Sequence, residues 1–263
     1  MENTCNIVWI TGASSGIGEA LAYAYSRKGA RLILSSRNEA KLREVRGRCE
    51  NPHHHLVVPL DLQDASMIKE KCGEVLRHTG RVDILVNNGG ISQRSLAAQT
   101  PVAVDRRIME TNFFGTVSLT KEILPSMIER RSGRIVVISS LVGKFGTPLR
   151  SAYSASKHAL HGFFDSLRAE VWDQGVRITV VCPGFIRTNI SVNALTQDGS
   201  PQGTMDDAQA HGMPCDVCAE KIIRGVERGK PEIYIGGREL MGVYFKRFAP
   251  RLFDRIIRKT RVT

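Results

Sequence analysis

Thr11-Gly12-Ala13-Ser14-Ser15-Gly16-Ile17-Gly18 follows directly on a short apolar run, Asn6–Ile10, and opens into a segment of helical period, Gly16–Lys28. Glycines in Gly-x3-Gly-x-Gly spacing remove Cβ atoms. The backbone can then bend tightly and approach a pyrophosphate, which meets amides and the positive end of the helix. This strand, turn and helix predict a phosphate site at Gly12, Ser14, Ser15, Gly16, Ile17 and Gly18. The Lys-Ser/Thr pair of a nucleoside-triphosphate loop is missing, which disfavours ATP.

Outward from that turn the same unit repeats. Apolar runs at Arg31–Ser35, Leu56–Leu60, Val82–Val86, Arg134–Ser139, Arg177–Cys182 and Glu232–Ile235 alternate with segments of helical period at Glu39–Cys49, Ser66–Arg77, Val102–Arg130, Tyr153–Trp172 and Cys215–Arg228. Runs that are apolar throughout suit strands covered on both faces. The pattern predicts a single doubly wound α/β domain of the Rossmann type, with about seven parallel strands and helices on both faces. Its ligands should bind at the carboxyl ends of the strands. The domain is expected over residues 1–236, including a polar, weakly periodic substrate loop at 188–213 that reads as mobile with a short helix within it. Residues 237–263 read as a basic amphipathic tail.

The chain has 263 residues, 42% hydrophobic and 24% charged, which excludes disordered, collagenous and disulfide-scaffold classes. The net charge is +11, and residues 221–263 hold twelve cations against four anions, so the basicity is local. Six scattered cysteines and an apolar strand starting near Cys5 suit reduced thiols, no leader and a cytoplasmic setting. Cys215-x2-Cys218 lacks a second ligand pair and reads as a helix start, and His53-His54-His55 points alternate ways in an extended segment, so no metal is expected.

Further chemistry gathers at the strand ends. Arg37 closes the second strand at the position that faces an adenosine ribose, where a carboxylate would select NAD and an arginine can accept the 2′-phosphate of NADP. Arg37 therefore favours NADP(H), with NAD(H) kept as the alternative. Tyr153 and Lys157, four residues apart, share one helix face downstream of Ser139-Ser140. A nearby ammonium would stabilise the Tyr153 phenolate and lower its pKa. Such a pair is common on ordinary helices, and its weight comes from the combination.

The glycine turn, Asn87-Asn88-Gly89-Gly90, Ser140, Tyr153-x3-Lys157 and Pro183-Gly184 through Thr188 together resemble the short-chain dehydrogenase/reductase family over residues 5–235. The resemblance implies NADP(H)-dependent interconversion of an alcohol and a ketone or aldehyde. In it Tyr153 is general acid/base, Lys157 holds the nicotinamide ribose, Ser140 binds the substrate oxygen and Asn112 helps hold a relay water. It also assigns Asn88 and Gly89 to the adenosine side, Asp61 and Leu62 to the adenine edge, and Pro183, Gly184, Ile186 and Thr188 to the nicotinamide amide. The family usually has Ala where Gly90 stands. A homodimer or homotetramer is implied as well. A non-catalytic NADP(H) sensor or scaffold is the rival reading.

The tail carries Phe245, Phe248, Leu252, Phe253, Ile256 and Ile257 at helical spacing among Lys246, Arg247, Arg251, Arg255, Arg258 and Lys259. Pro250 divides it into two short helices. Either the apolar stripe docks on protein, or residues 242–259 lie on an anionic membrane surface. The tail resembles that of the branch related to 11β-hydroxysteroid dehydrogenases, which implies a lipid-like substrate, as do Phe145, Phe185 and Ile190 beside the expected pocket. Nucleic acid is disfavoured, since no groove-reading or stacking module accompanies the charge.

Overall fold

The continuous apolar runs divide their side chains between the two faces of one sheet. Its strands are β1 (Ile7–Thr11), β2 (Arg31–Ser35), β3 (Leu56–Val57), β4 (Ile84–Asn87), β5 (Gly133–Ile138), β6 (Val176–Pro183) and β7 (Glu232–Ile235). All pairings are parallel, in the order β3-β2-β1-β4-β5-β6-β7. Helices α1 (Gly16–Arg27), α2 (Glu39–Gly47), α3 (Ala65–Thr79), α4 (Val102–Met109), α5 (Gly115–Glu129), α6 (Ser151–Glu170), α7 (Asp207–Ala210), α8 (Cys215–Glu227), α9 (Met241–Phe248) and α10 (Pro250–Ile257) complete the chain. This computed structural model describes residues 5–260; the ends of the expected 1–236 and 237–263 segments lie outside the described residues.

Alternation along each strand sorts the core. Trp9, Ile33, Leu85, Ile135, Val137 and Val180 face the layer of α3, α5 and α6, whereas Val8, Ile10, Leu32, Leu34, Val86 and Val136 face that of α1, α2 and α8. The expected doubly wound α/β architecture is thus present. The strand order reverses between β1 and β4, where a crevice opens at the carboxyl ends.

Three local expectations are corrected. The third strand keeps regular pairing only at Leu56 and Val57, although Val58 N and Leu60 N still donate to Leu34 O (2.9 Å) and Ser36 O (3.0 Å), with Pro59 between them on the open edge of the sheet. The single helix expected over Val102–Arg130 is α4 and α5 joined by a π-helical segment at Glu110–Phe114. The 188–213 loop, expected to be mobile with a short helix in it, does contain that helix, α7, but is tied down: Leu195 bridges to Gln93 and to Pro201, and Met213 bridges to Ile186. The tail forms two helices divided at Pro250. Among the described residues no helix is long and apolar enough to cross a membrane.

Candidate active site

The glycine turn is shaped by contacts that leave no room for side chains. Gly12 and Gly16 have φ of 63° and 60°, in the left-handed region. A Cβ on Gly12 would stand 2.8 Å from Asn88 Nδ2, and one on Gly16 would stand 3.0 Å from Thr188 Cγ2. Asn88 Nδ2 donates to the carbonyls of Thr11 (3.0 Å) and Gly12 (3.2 Å), while Thr11 Oγ1 accepts from the backbone N–H groups of Asn88 and Gly89. The side chain of Asn88 therefore staples the end of β4 to the turn after β1.

A cavity of about 1040 Å³ runs from this turn to the tail. Gly12, Ser14, Ser15, Gly16, Ile17, Arg37, Asp61, Leu62, Asn88, Gly89, Ser140, Tyr153, Lys157, Pro183, Gly184, Ile186 and Thr188 all line it. Two residues expected in the site do not. Gly18 lies beneath the turn, where a Cβ would run into the Gly12 carbonyl, so its missing side chain lets α1 pack against the turn. Asn112 is fully buried in the π segment; its Oδ1 accepts from Ile91 N (2.8 Å) and its Nδ2 donates to Ile91 O (2.9 Å) and Ser156 Oγ (2.9 Å). Its amide is committed to holding the backbone of Ile91, in the loop after β4, against Ser156 of α6. Gly90 fits this packing, since a Cβ there would stand 3.0 Å from Asn112 Oδ1.

Tyr153, Ser156, Lys157, Leu160, Phe164 and Leu167 form the buried stripe of α6. The same period that docks the helix on the sheet therefore aims Tyr153 and Lys157 at the crevice. Ser140 caps the turn after β5, its hydroxyl accepting from Val142 N at 3.3 Å. Lys157 Nζ donates to Ile138 O at 2.8 Å and stands 5.8 Å from the centre of the Tyr153 ring.

The electrostatics correct the sequence reading of Tyr153. Burial pushes its pKa up, and the groups that pull against burial are the Arg150 and Arg94 guanidiniums and a hydrogen bond with Ser140. Lys157 is not among them. Burial lowers Lys157 itself to about 8. A neutral-pH phenol beside two arginines results.

Those arginines escaped the sequence reading. Arg94 Nε donates to Asp206 Oδ2 at 2.8 Å, Arg94 Nη2 donates to the same oxygen, and Arg150 Nη2 stands 3.4 Å from it. All three side chains are buried. Asp206 belongs to the 188–213 loop, so the ion pairs fasten that loop to Arg94 and to Arg150, the residue just before α6. Spacing gave no metal set, and Cys215 does open α8. Among the described residues the ligand types that do meet are His161, Cys182 and Glu232, with Lys144 Nζ 2.6 Å from the Glu232 carboxylate.

The tail closes the far end of the cavity. Phe253 is buried and packs edge-on against Phe145, ring centres 5.2 Å apart. Met241, Phe245, Ile256 and Ile257 also line the cavity.

The sequence pattern described as short chain dehydrogenase matches residues 6–199. The chain belongs to the short-chain dehydrogenase family. It is 44% identical over 255 residues to Dehydrogenase/reductase SDR family member 7B of Xenopus tropicalis, covering 94% of this chain and 82% of that protein. It is also 44% identical over 262 residues to Dehydrogenase/reductase SDR family protein 7-like of Drosophila melanogaster, covering 97% and 80%. Among solved structures, a short-chain dehydrogenase from Streptomyces avermitilis superposes with a TM-score of 0.84 at 28% identity, covering 99% of this chain and 100% of that one. A short-chain dehydrogenase from Burkholderia cenocepacia in complex with NADP shares the fold, with a TM-score of 0.81 at 20% identity and coverage of 99% and 100%.

Proposed function

We propose that this short-chain dehydrogenase interconverts an alcohol and a ketone or aldehyde using NADP(H). The observation that carries the reading is the meeting of Ser140, Tyr153 and Lys157 in one cavity with the glycine turn. The glycine positions, where Cβ atoms would collide, suit a pyrophosphate; Arg37, Asp61 and Leu62 suit the adenosine end; Pro183, Gly184, Ile186 and Thr188 suit the nicotinamide end. When bound, the nicotinamide supplies or takes up hydride at the substrate carbon. In reduction the Tyr153 hydroxyl gives its proton to the carbonyl oxygen, and in oxidation the phenolate removes the alcohol proton. Ser140 donates a hydrogen bond to that oxygen. Lys157 holds the ribose, and Phe145, Phe185 and Ile190 suit a hydrophobic substrate. Assay of a ketone and alcohol panel with NADPH tests the reading; no turnover across the panel would count against it.

Arg37 supports the NADP(H) preference because its exposed guanidinium lies at the adenosine end of the cavity. A charge-assisted hydrogen bond to a 2′-phosphate contributes roughly 1.5–3 kcal/mol, or about 10- to 100-fold in affinity. Arg37→Asp is expected to erase that preference or reverse it when NADPH and NADH are titrated by intrinsic fluorescence. Equal affinities in the parent protein would contradict the assignment.

The tail reading is extended in the same way: we propose that residues 242–259 rest on an anionic lipid surface. Phe253 docks inward, while Tyr244, Phe248, Leu252 and Ile256 stay exposed, Phe248 at 80%. Arg247, Arg251 and Arg255 lie among them on the same two helices. Cations beside an exposed apolar face favour anionic headgroups. The chain is expected to co-sediment with phosphatidylserine vesicles at low salt, and Phe248→Glu with Leu252→Glu should release it. Equal sedimentation of parent and variant would rule the contact out.

A further inference from the structure

The first four backbone N–H groups of a helix have no partner within it. In α6 they matter more than usual, because Tyr153 sits in the first turn. The residue preceding the helix, Arg150, supplies no side-chain cap. The acceptor comes instead from far upstream: Gln93 Oε1 takes the N–H of Ala152 at 2.8 Å and that of Tyr153 itself at 3.3 Å.

Gln93 is itself immobilised. It is fully buried, and its Nε2 lies 3.2, 3.3 and 3.4 Å from the hydroxyls of Ser95, Thr100 and Ser151. The backbone around it carries the substrate loop: Leu195 N donates to Ser92 O at 2.9 Å, and Arg94 N donates to Leu195 O at 2.8 Å. On the other side Ser95 N donates to Leu149 O at 3.1 Å, just before α6. One short segment thus joins the loop that covers the cavity to the helix that presents the phenol.

We propose that Gln93 is a positioning residue for Tyr153, capping the first turn of α6 from the segment on which the substrate loop is fastened. The inference rests on Tyr153 being the proton donor proposed above. Gln93 touches no reacting atom; it fixes where α6 begins and so where the hydroxyl stands. Misplacement of a reacting group by about 1 Å can cost on the order of 100-fold.

Two variants separate the cap from bulk packing. Gln93→Met keeps the length and removes the acceptor, whereas Gln93→Glu, held protonated by its burial, keeps the accepting oxygen at the same reach and one O–H donor toward the hydroxyls. In Gln93→Met, kcat for carbonyl reduction is expected to fall roughly 10- to 100-fold, with KM and the Kd for NADPH within about twofold. Gln93→Glu should recover most of that kcat. Hydrogen exchange supplies a readout independent of turnover: the amides of Ala152 and Tyr153 should exchange about tenfold faster in the Met variant and at the parental rate in the Glu variant. Unchanged exchange in Gln93→Met, or equal loss of kcat in both variants, would overturn the proposal. If the parent turns over no substrate, the function reading fails, and amide exchange still decides the cap.

Discussion

Tyr153→Phe is expected to lower turnover by about 100- to 10,000-fold, the range a positioned acid/base contributes, while leaving NADPH affinity and fold intact. The ring lies in a buried stripe and Phe keeps that packing, so the melting temperature should barely move. The lost hydroxyl is the group that would exchange a proton with the substrate oxygen. Cofactor binding without any Tyr153-dependent turnover in the parent would favour the sensor reading. The pH profile adds a sign. Burial raises the Tyr153 pKa, against Arg150, Arg94 and the Ser140 hydrogen bond. Below that raised value the residue is a phenol, so carbonyl reduction should hold its rate across neutral pH and fall only at alkaline pH. Alcohol oxidation needs the phenolate and should climb over the same alkaline range. Initial rates in both directions as a function of pH check this; an oxidation limb that is flat above neutrality would assign the proton to another group.

That sign shows where sequence reading stops. The glycine turn and the strands were legible because each is local: a spacing of glycines, a run of β-branched residues, a helix period. The α6 stripe was legible for the same reason, since Tyr153 and Lys157 follow the period of Leu160 and Phe164. Spacing can place a lysine beside a tyrosine, but it cannot weigh burial against charge. In the folded chain burial dominates, and the opposing cations come from Arg94 and Arg150. Arg94 meets Asp206 across 112 residues, and no local pattern announces a pair so distant. The π segment was hidden because α4 and α5 continue one apolar stripe on either side of it. Gln93 was invisible as well: a glutamine that caps a helix 59 residues downstream has no signature in its neighbours.

Asp206→Ala should destabilise the chain strongly. The Arg94 and Asp206 side chains are 4% and 1% exposed, and Arg150 is 8% exposed. Removing the carboxylate leaves two buried guanidiniums facing each other, and burial with the neighbouring Arg94 charge already brings Arg150 down to about 10. Breaking a buried pair from one side costs about 3–5 kcal/mol, which for a domain of this size is roughly a 10 °C drop in melting temperature. The loop should also become accessible, so limited proteolysis should cut within 188–213 before the rest of the chain. Burial alone would raise the Asp206 pKa, but hydrogen bonds from Arg94 and Gln202 and the two arginine charges hold it below the usual carboxylate value. A depressed carboxylate stabilises the fold above its unfolded pKa of about 4 and loses that contribution as pH falls toward the folded value. The parent protein should therefore lose loop protection in acid below about pH 4, and the variant should show no such step. Replacing the whole cluster, with Asp206→Leu, Arg94→Met and Arg150→Met, should recover much of the loss, because a buried ion cluster is costly to break from one side and inexpensive to replace with apolar packing. The two outcomes against this account are a melting temperature within about 1 °C of the parent and loop proteolysis unchanged by Asp206→Ala. Either would mean that the loop is held by its backbone bridges to Gln93 and Ile186 rather than by charge.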